Sequence, residues 1–215
     1  MRTRYNRRSV EVISFTDQAI DILPLADVKA FLRIDGTDDD PLLTMLINSA
    51  VESAEKYLAR ALRRQTLELT LDGFPFADDE ALARLGPGVH QVALSYVIGD
   101  VEGIDLPYPP VASVTSITTF NTANASAVFS SAAYLLDGFR ITLNRGYTWP
   151  TDLRDRAAVK VRYVAGYGQA TLPSSIKLAM MQHLVAMYEC RTGCDIPAAA
   201  RGMMDAYRIR DGLAW

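Results

Sequence analysis

Residues 25–63 constrain the fold more than any other stretch, because they predict a short helix, an acidic turn and a long helix. Asp40 is placed to cap the long helix, and Pro41 follows at its first position, where a missing N–H breaks no helical hydrogen bond. Apolar residues then recur at helical spacing: Leu42, Leu43, Leu46, Ile47, Ala50, Ala54, Tyr57 and Leu58. The opposite, polar face carries Thr44, Asn48, Glu52, Glu55 and Arg60. The apolar face must be buried, so we expect this helix to pack against another element.

Helical periodicity returns after Pro173. One face of the predicted helix carries Ile176, Ala179, Met180, His183, Leu184, Met187 and Tyr188, and Gly193 is expected to end the segment. A last short helix is predicted from Pro197 to Tyr207.

The middle of the chain, residues 66–165, is predicted to be rich in strands. Leu67, Leu69 and Leu71 alternate with polar residues, which is the period of a half-buried strand. Further strands are predicted at VEVISF (10–15), VASVTSITTF (111–120), FRITLNRGY (139–147) and AAVKVRYV (157–164). Residues 77–103 have no clean period and contain Gly86-Pro87-Gly88, so we predict that they leave the sheet.

These segments predict an α+β fold, in which two N-terminal helices and one or two C-terminal helices form a body that carries a β-rich middle insertion. The segments are an N-terminal arm (1–24), a helical pair (25–65), the β-rich region (66–165), a C-terminal helix completing the body (166–196) and a docking segment (197–215). No apolar run is long enough to cross a bilayer, and no signal-like stretch follows the N-terminal arginines. We therefore expect folding in a cytoplasm and no membrane partner.

The acidic turn does not match a calcium loop. If Asp35 is taken as position one of an EF-hand, position six is Asp40 instead of glycine, and position twelve is Leu46 instead of glutamate. A solvated turn followed by a helix cap explains these carboxylates.

Zinc binding and common enzyme chemistries are also disfavoured. Cys190 and Cys194 lie near His183, but the only other histidine is His90, and a zinc site needs three or four converging ligands. No G-x-S-x-G or phosphate-loop motif occurs, and we interpret Gly166–Gly168 as a turn. We expect His183 to be a core histidine with satisfied hydrogen bonds. We expect no catalytic residues, metal or cofactor.

Both termini carry candidate contact residues. Arg2, Arg4, Arg7 and Arg8 are suited to phosphate or partner contacts, although a solvated arm explains them equally simply. The net charge of −3 predicts no strong overall attraction to nucleic acid. The C-terminal segment has the composition of an interface, with Arg201, Met203, Met204, Tyr207, Arg208, Ile209, Arg210, Leu213 and Trp215. The residues alone leave open whether it folds back on its own core or docks on a partner.

Several of these segments together resemble the head-tail connector (adaptor, or head-completion) family of tailed bacteriophages. The first motif has the form VKxxLRID and comprises Val28, Lys29, Leu32, Arg33, Ile34 and Asp35. An acidic turn of the form DDxLL and a helix end of the form ExYLxRAL follow, with Asp39, Asp40, Leu42, Leu43, Glu55, Tyr57, Leu58, Arg60, Ala61 and Leu62. Tyr134, Trp149-Pro150, VKVRYVAGYG, LPSSIKLAM and the stretch from Tyr188 to Arg191 then occur in the family's order, so the resemblance spans most of residues 25–192.

The resemblance implies a structural virion protein without enzymatic activity. It would form a homo-oligomeric ring, expected to be a dodecamer, beneath the portal protein in the head-tail neck. The ring would extend the channel through which genomic DNA passes without sequence-specific binding, and it would offer a platform for a stopper or tail-completion protein. The C-terminal residues above would dock on the portal. The chain would occupy the host cytoplasm during assembly. Two alternatives stay open: another neck or tail ring, such as a stopper or terminator, and a nucleic-acid-binding module that uses the arginine arm.

Overall fold

The structure, a computed structural model, describes residues 9–74, 103–190 and 195–209, and it forms two compact units. The β unit contains, among these, residues 9–11, 68–74, 103–106 and 113–163. The helical unit contains residues 12–67, 107–112, 164–190 and 195–209. The mixture of helices and antiparallel sheet pairs confirms the predicted α+β class.

Five helices build the helical unit. They are α1 (Ala19–Ile22), α2 (Leu25–Leu32), α3 (Asp40–Leu58), α4 (Ser174–Cys190) and α5 (Ala198–Asp205). One apolar core joins them, and its members that are completely excluded from solvent include Leu43, Ile47, Val51, Leu58, Ile176 and Ala200. In the described part of the chain, no helix is long and apolar enough to cross a membrane.

The start of α3 differs from the prediction by one residue. Asp39 occupies the N-cap position and Asp40 is the first helical residue, while Pro41 lies in the first turn as expected. Asp40 does not cap the helix, because its carboxylate is bound by the Lys29 ammonium at 2.7 Å. Asp39 is also engaged elsewhere, since its carboxylate accepts a hydrogen bond from the Tyr188 hydroxyl at 2.9 Å.

The buried face of α3 is close to the predicted one, with two exceptions. Leu42 was predicted to be buried but is 39% exposed, and Val51 was not assigned to the face but is completely buried. The other predicted apolar residues of α3 are buried or half-buried. The predicted face of α4 is confirmed, because Ile176, Ala179, Met180, His183 and Leu184 are buried.

Two sheets account for the strands. A five-stranded sheet has the order β1-β2-β8-β4-β5 and a three-stranded sheet the order β3-β7-β6. The strands are β1 (Ser9–Phe15), β2 (Gln65–Leu71), β3 (Ile104–Asp105), β4 (Val111–Phe120), β5 (Ser126–Phe129), β6 (Tyr134–Asp137), β7 (Arg140–Leu143) and β8 (Val159–Ala165). β4 pairs with β5 antiparallel, with Ile117 opposite Phe129. β6 and β7 also form an antiparallel hairpin, with Tyr134 opposite Leu143.

The predicted strands are present at β1, β2, β4, β7 and β8. The bounds of β4 agree with the prediction, whereas β3, β5 and β6 were not anticipated. These three are short, so their sequences are too brief to show a period. The predicted irregular segment, residues 77–103, lies outside the described residues except for Gly103.

Aromatic residues fill one part of the β unit. The rings of Phe74 and Trp149 stack with centroids 4.3 Å apart, and Phe129 packs on Trp149 at 5.3 Å. Phe129 also stacks on Tyr134 at 6.3 Å. This cluster and the buried leucines of β2 give the β unit its own core.

Candidate interaction surfaces

The end of α3 holds the chain segment that follows α5. Tyr57 donates a hydrogen bond from its hydroxyl to the Asp205 carboxylate at 2.7 Å, and the Arg208 guanidinium lies 4.7 Å from the centre of the Tyr57 ring. The hydrogen bond to Asp205 is the main cause that raises the pKa of Tyr57, because it stabilises the protonated phenol. We call Tyr57, Arg60, Asp205, Tyr207 and Arg208 the C-terminal clasp.

Main-chain contacts complete the clasp. Arg60 donates from Nε to the carbonyl oxygen of Tyr207, and the amide of Ile209 donates to the carbonyl of Leu58 at 3.1 Å. The hydroxyl of Ser175, on α4, donates to the hydroxyl of Tyr207 at 3.2 Å. The chain is therefore fixed to the helical unit up to Ile209, the last described residue.

Glu55 organises the turn that presents Arg60. Its carboxylate accepts hydrogen bonds from the amides of Leu62 and Arg63, both at 3.0 Å, and forms an ion pair with the Arg63 guanidinium at 2.6 Å. Ala59 takes the left-handed conformation that ends the helix. Glu55 was assigned to the polar outer face, but its side chain is only 13% exposed, because the turn after the helix folds back over it.

The predicted docking residues have different environments. Met204 is buried in the core of the helical unit, whereas Met203, Tyr207 and Ile209 are half-buried. Arg201 and Arg208 are exposed, and Arg201 approaches Asp195 at 3.5 Å. Arg210, Leu213 and Trp215 lie outside the described residues, as do Arg2, Arg4, Arg7 and Arg8. Among the predicted docking residues, the clasp brings together Tyr207 and Arg208.

A polar groove lies on the five-stranded sheet of the β unit, and the sequence analysis did not identify it. Lys160 and Arg162 lie two residues apart on β8, between Glu68 of β2 and a row on β4. Alternate residues of a strand point to the same side, so these side chains share one face. We call this surface the sheet groove; its volume is 260 Å³ and its lining residues are Glu68, Ser116, Thr118, Phe120, Lys160 and Arg162.

Glu68 is the electrostatic centre of the sheet groove. Its carboxylate binds the Lys160 ammonium and the Arg162 guanidinium, each at 2.7 Å, and its side chain is only 10% exposed. The hydrogen bond from Lys160 is the main cause that lowers the pKa of Glu68; burial opposes it and Arg162 adds to it. The cationic side chains remain accessible, with 38% of Lys160 and 46% of Arg162 exposed.

Several large apolar side chains are exposed on the helical unit. Phe31 of α2 is 45% exposed, and on α3 Leu42 is 39% and Met45 60% exposed. Leu42 and Met45 lie three residues apart and therefore share one side of α3. Such residues are candidates for contacts between subunits.

The residues considered for metal binding do not converge. In residues 9–74, 103–190 and 195–209, no group of three or more histidine, cysteine, aspartate or glutamate side chains is placed to hold a metal ion. His183 is buried, and no buried side-chain nitrogen or oxygen in these residues lacks a hydrogen-bond partner, which confirms it as a satisfied core histidine. Cys190 is exposed, while Cys194 and His90 lie outside the described residues.

The glycines after β8 allow a close approach of two main chains. The amide of Gly166 donates to the carbonyl of Pro110 at 2.9 Å, and that of Gly168 donates to the carbonyl of Leu62 at 3.2 Å. Gly166 has a positive φ of 119°, and a Cβ there would lie 2.1 Å from the carbonyl oxygen of Arg63. These contacts confirm a turn in the Gly166–Gly168 segment.

Three solved structures share the fold of the chain. A chain of the neck of an empty gene transfer agent (GTA) particle, computed with C6 symmetry, is 18% identical with a TM-score of 0.70, and the match covers 94% of this chain and 96% of that chain. A chain of the neck of a native GTA particle, computed with C12 symmetry, has the same identity and coverage and a TM-score of 0.68. A chain of the virion of a native GTA particle is 18% identical with a TM-score of 0.66, covering 95% of this chain and 98% of that chain.

The sequence itself matches one family model over most of its length. No curated protein sequence matches the chain. The model of the head completion protein family, however, matches residues 21–202, which include α2 to α5 and strands β2 to β8. The chain belongs to the head completion protein family.

Proposed function

We propose that the protein is a non-enzymatic structural subunit of the neck between the head and the tail of a phage or phage-like particle. It forms a homo-oligomeric ring, a dodecamer, that docks on the portal protein, extends the DNA channel and receives a stopper or tail-completion protein. The observation that carries this proposal is family membership over residues 21–202 together with a fold shared along 94% of the chain with proteins from GTA necks. The C12 symmetry of one of those necks supports the dodecamer.

The C-terminal clasp supports the portal-docking part of the proposal. Because Arg60 and Leu58 bind the main chain at Tyr207 and Ile209, residues 210–215 continue from a fixed point on the helical unit. A fixed starting point lowers the entropy that a segment loses when it binds. Arg208, Arg210, Leu213 and Trp215 would make the contacts, while Met204 and the Tyr207 hydroxyl serve the subunit's own fold.

The exposed apolar residues of the helical unit support contacts between neighbouring subunits. A ring needs two different complementary surfaces on each subunit. Phe31, Leu42 and Met45 are exposed although large and apolar, and burying them against a neighbour would remove apolar surface from water. We assign them to one side of the contact between helical units.

Electron microscopy of particles tests this function. Cells that produce the particle would carry either the intact gene or a variant ending at residue 209. We expect a ring at the portal vertex with the intact protein, and heads without tails with the shortened one. Particles whose neck contains no copy of the protein would overturn the proposal. A ring placed beyond the first neck component would instead favour the stopper or terminator alternative.

A further inference from the structure

We infer that the sheet groove binds the acidic turn, residues 35–38, of a neighbouring copy in the ring. This inference rests on the proposed ring and adds to it a polar contact between copies. It joins two surfaces whose sequences lie far apart, Lys160 and Arg162 on β8 and Asp35 and Asp38 between α2 and α3. The argument depends on the charge of the groove, the state of the turn and the fit between the two.

The sheet groove is suited to a carboxylate. Two cationic side chains and one carboxylate line it, so its lining residues carry one net positive charge. Glu68 holds one N–H of each cation, while each side chain has further donors and remains more than a third exposed. The hydroxyls of Ser116 and Thr118 line the opposite wall and add uncharged donors. A single net positive charge with several donors fits a side-chain carboxylate better than a polyanion such as DNA.

Glu68 also positions the two cations. Like charges two residues apart on one strand face repel each other, and the carboxylate between them removes that repulsion. Its lowered pKa keeps it ionised at neutral pH, so the arrangement persists without a bound ligand. A partner carboxylate then meets donors that are already in place, which reduces the loss of side-chain entropy on binding.

The acidic turn presents carboxylates in a fixed main-chain frame. Residues 35–38 are all exposed. Lys29 fixes the turn from inside, because its ammonium donates to the carbonyl of Gly36 and binds the carboxylate of Asp40. Asp39 and Asp40 are used within the subunit, by Tyr188 and Lys29. Among the described residues, no side chain or amide binds the carboxylates of Asp35 and Asp38.

A head-to-tail ring makes this contact effective. Each copy offers one groove and one turn, and the two differ, as a heterologous interface requires. An exposed ion pair contributes little by itself. In a closed ring, however, the same contact recurs between every pair of neighbours and acts together with the other contacts between copies.

Charge exchange tests the contact. Arg162→Asp and the pair Asp35→Arg with Asp38→Arg would each be placed in producing cells, and heads with a neck ring would be counted by electron microscopy. We expect each change alone to lower that count on the order of tenfold, because it faces like charges across the interface. The combination of both changes restores opposite charges, and we expect it to recover most of the rings.

Controls separate the contact from folding and from general charge. Asp137→Arg makes the same kind of change at another exposed aspartate and should leave the count unchanged. Asp35→Asn with Asp38→Asn removes only the charges of an exposed turn, cannot expose the core, and should lower the count without lowering the melting temperature. If the asparagine pair forms rings as often as the intact protein, the inference is wrong.

Two further outcomes separate this inference from others. If the intact protein is not found in the neck at all, the proposed function fails and this inference with it. If Arg162→Asp leaves the rings intact but the heads lose their DNA, the groove contacts DNA and the acidic turn is not its partner. If both single changes are harmful and the combination does not recover, the two surfaces do not meet.

Discussion

Tyr57 and Asp205 are 148 residues apart in sequence, and the Tyr57 hydroxyl donates to the Asp205 carboxylate at 2.7 Å. This bond joins the end of α3 to the end of α5, and Arg60 continues the contact with the main chain of Tyr207. Tyr57 and Arg60 belong to the ExYLxRAL motif on which the family resemblance rested. The structure thus gives this part of the motif a physical role, which is to hold the segment after α5 on the helical unit.

We predict that Tyr57→Phe loosens the clasp without unfolding the protein. The variant keeps the ring under Arg208 but leaves the half-buried Asp205 carboxylate without this donor. We expect the melting temperature to fall by about 2 °C. Tyr147→Phe is the control, because Tyr147 is 48% exposed and should tolerate the change. Equal melting temperatures for all three proteins would show that the bond contributes nothing.

A second prediction concerns acid stability and Glu68. Its pKa in the folded protein is lower than the ordinary value of 4.5, so the unfolded chain binds the proton more tightly. The ionised Glu68 therefore stabilises the fold above pH 4.5, and this contribution is lost as the pH falls through the lowered pKa. Glu68→Gln should be less stable than the intact protein at neutral pH, and the difference should shrink in acid.

Urea denaturation between pH 3 and pH 7 measures this difference. Glu52→Gln serves as the control, since Glu52 is exposed on α3 and its substitution should change little at any pH. A stability difference between Glu68→Gln and the intact protein that is constant across the series would contradict the assigned role of the ion pairs.

A third prediction uses two neighbouring leucines of α3. Leu43 is completely buried, whereas Leu42 is 39% exposed, although the sequence pattern assigned both to the apolar face. Leu43→Ala removes buried methyl groups and leaves a cavity, so we expect a loss of about 2–5 kcal/mol in the free energy of unfolding. Leu42→Ala should change it by about 0.5 kcal/mol or less. Urea denaturation compares the two, and similar losses would mean that the helix faces are assigned wrongly.

Local patterns in the sequence were enough for the main helices and the longer strands. The spacing of Ile176 to Leu184 placed one face of α4 correctly, because a long helix repeats its pattern over several turns. The same reasoning missed Val51, and it placed Leu42 inside, because an apolar residue at the margin of a face fits either side. The short strands β3, β5 and β6 lacked enough residues to show a period.

The candidate surfaces were harder to predict, since they depend on residues that are distant in sequence. Glu68 looked like an ordinary outward residue of an alternating strand, and only the pairing of strands brings Lys160 and Arg162 to it. Glu55 looked solvent-exposed because the amides that it binds belong to the turn after the helix. One signal was present in the sequence: Glu55 and Arg60 recur at fixed spacing in the family motif, which an exposed helix face does not require.

The last prediction distinguishes two truncations of the C-terminal segment. A chain ending at residue 209 keeps the whole clasp, because the contacts of Asp205, Tyr207 and Ile209 with the body remain. We expect its melting temperature to stay within about 2 °C of that of the full chain. If residues 210–215 dock on the portal, heads from cells that make this variant should carry DNA but no tails.

A chain ending at residue 200 behaves differently, because it loses Met204 from the core together with Asp205 and most of α5. Removing a buried methionine alone costs about 2–5 kcal/mol, so this variant should be clearly less stable in urea. Its failure to join heads would then reflect a damaged fold as well as a lost contact. If the chain ending at 209 is stable and still joins heads normally, residues 210–215 are not the docking element. In that case the remaining exposed arginines, Arg201 and Arg208, become the residues to exchange next, singly and together.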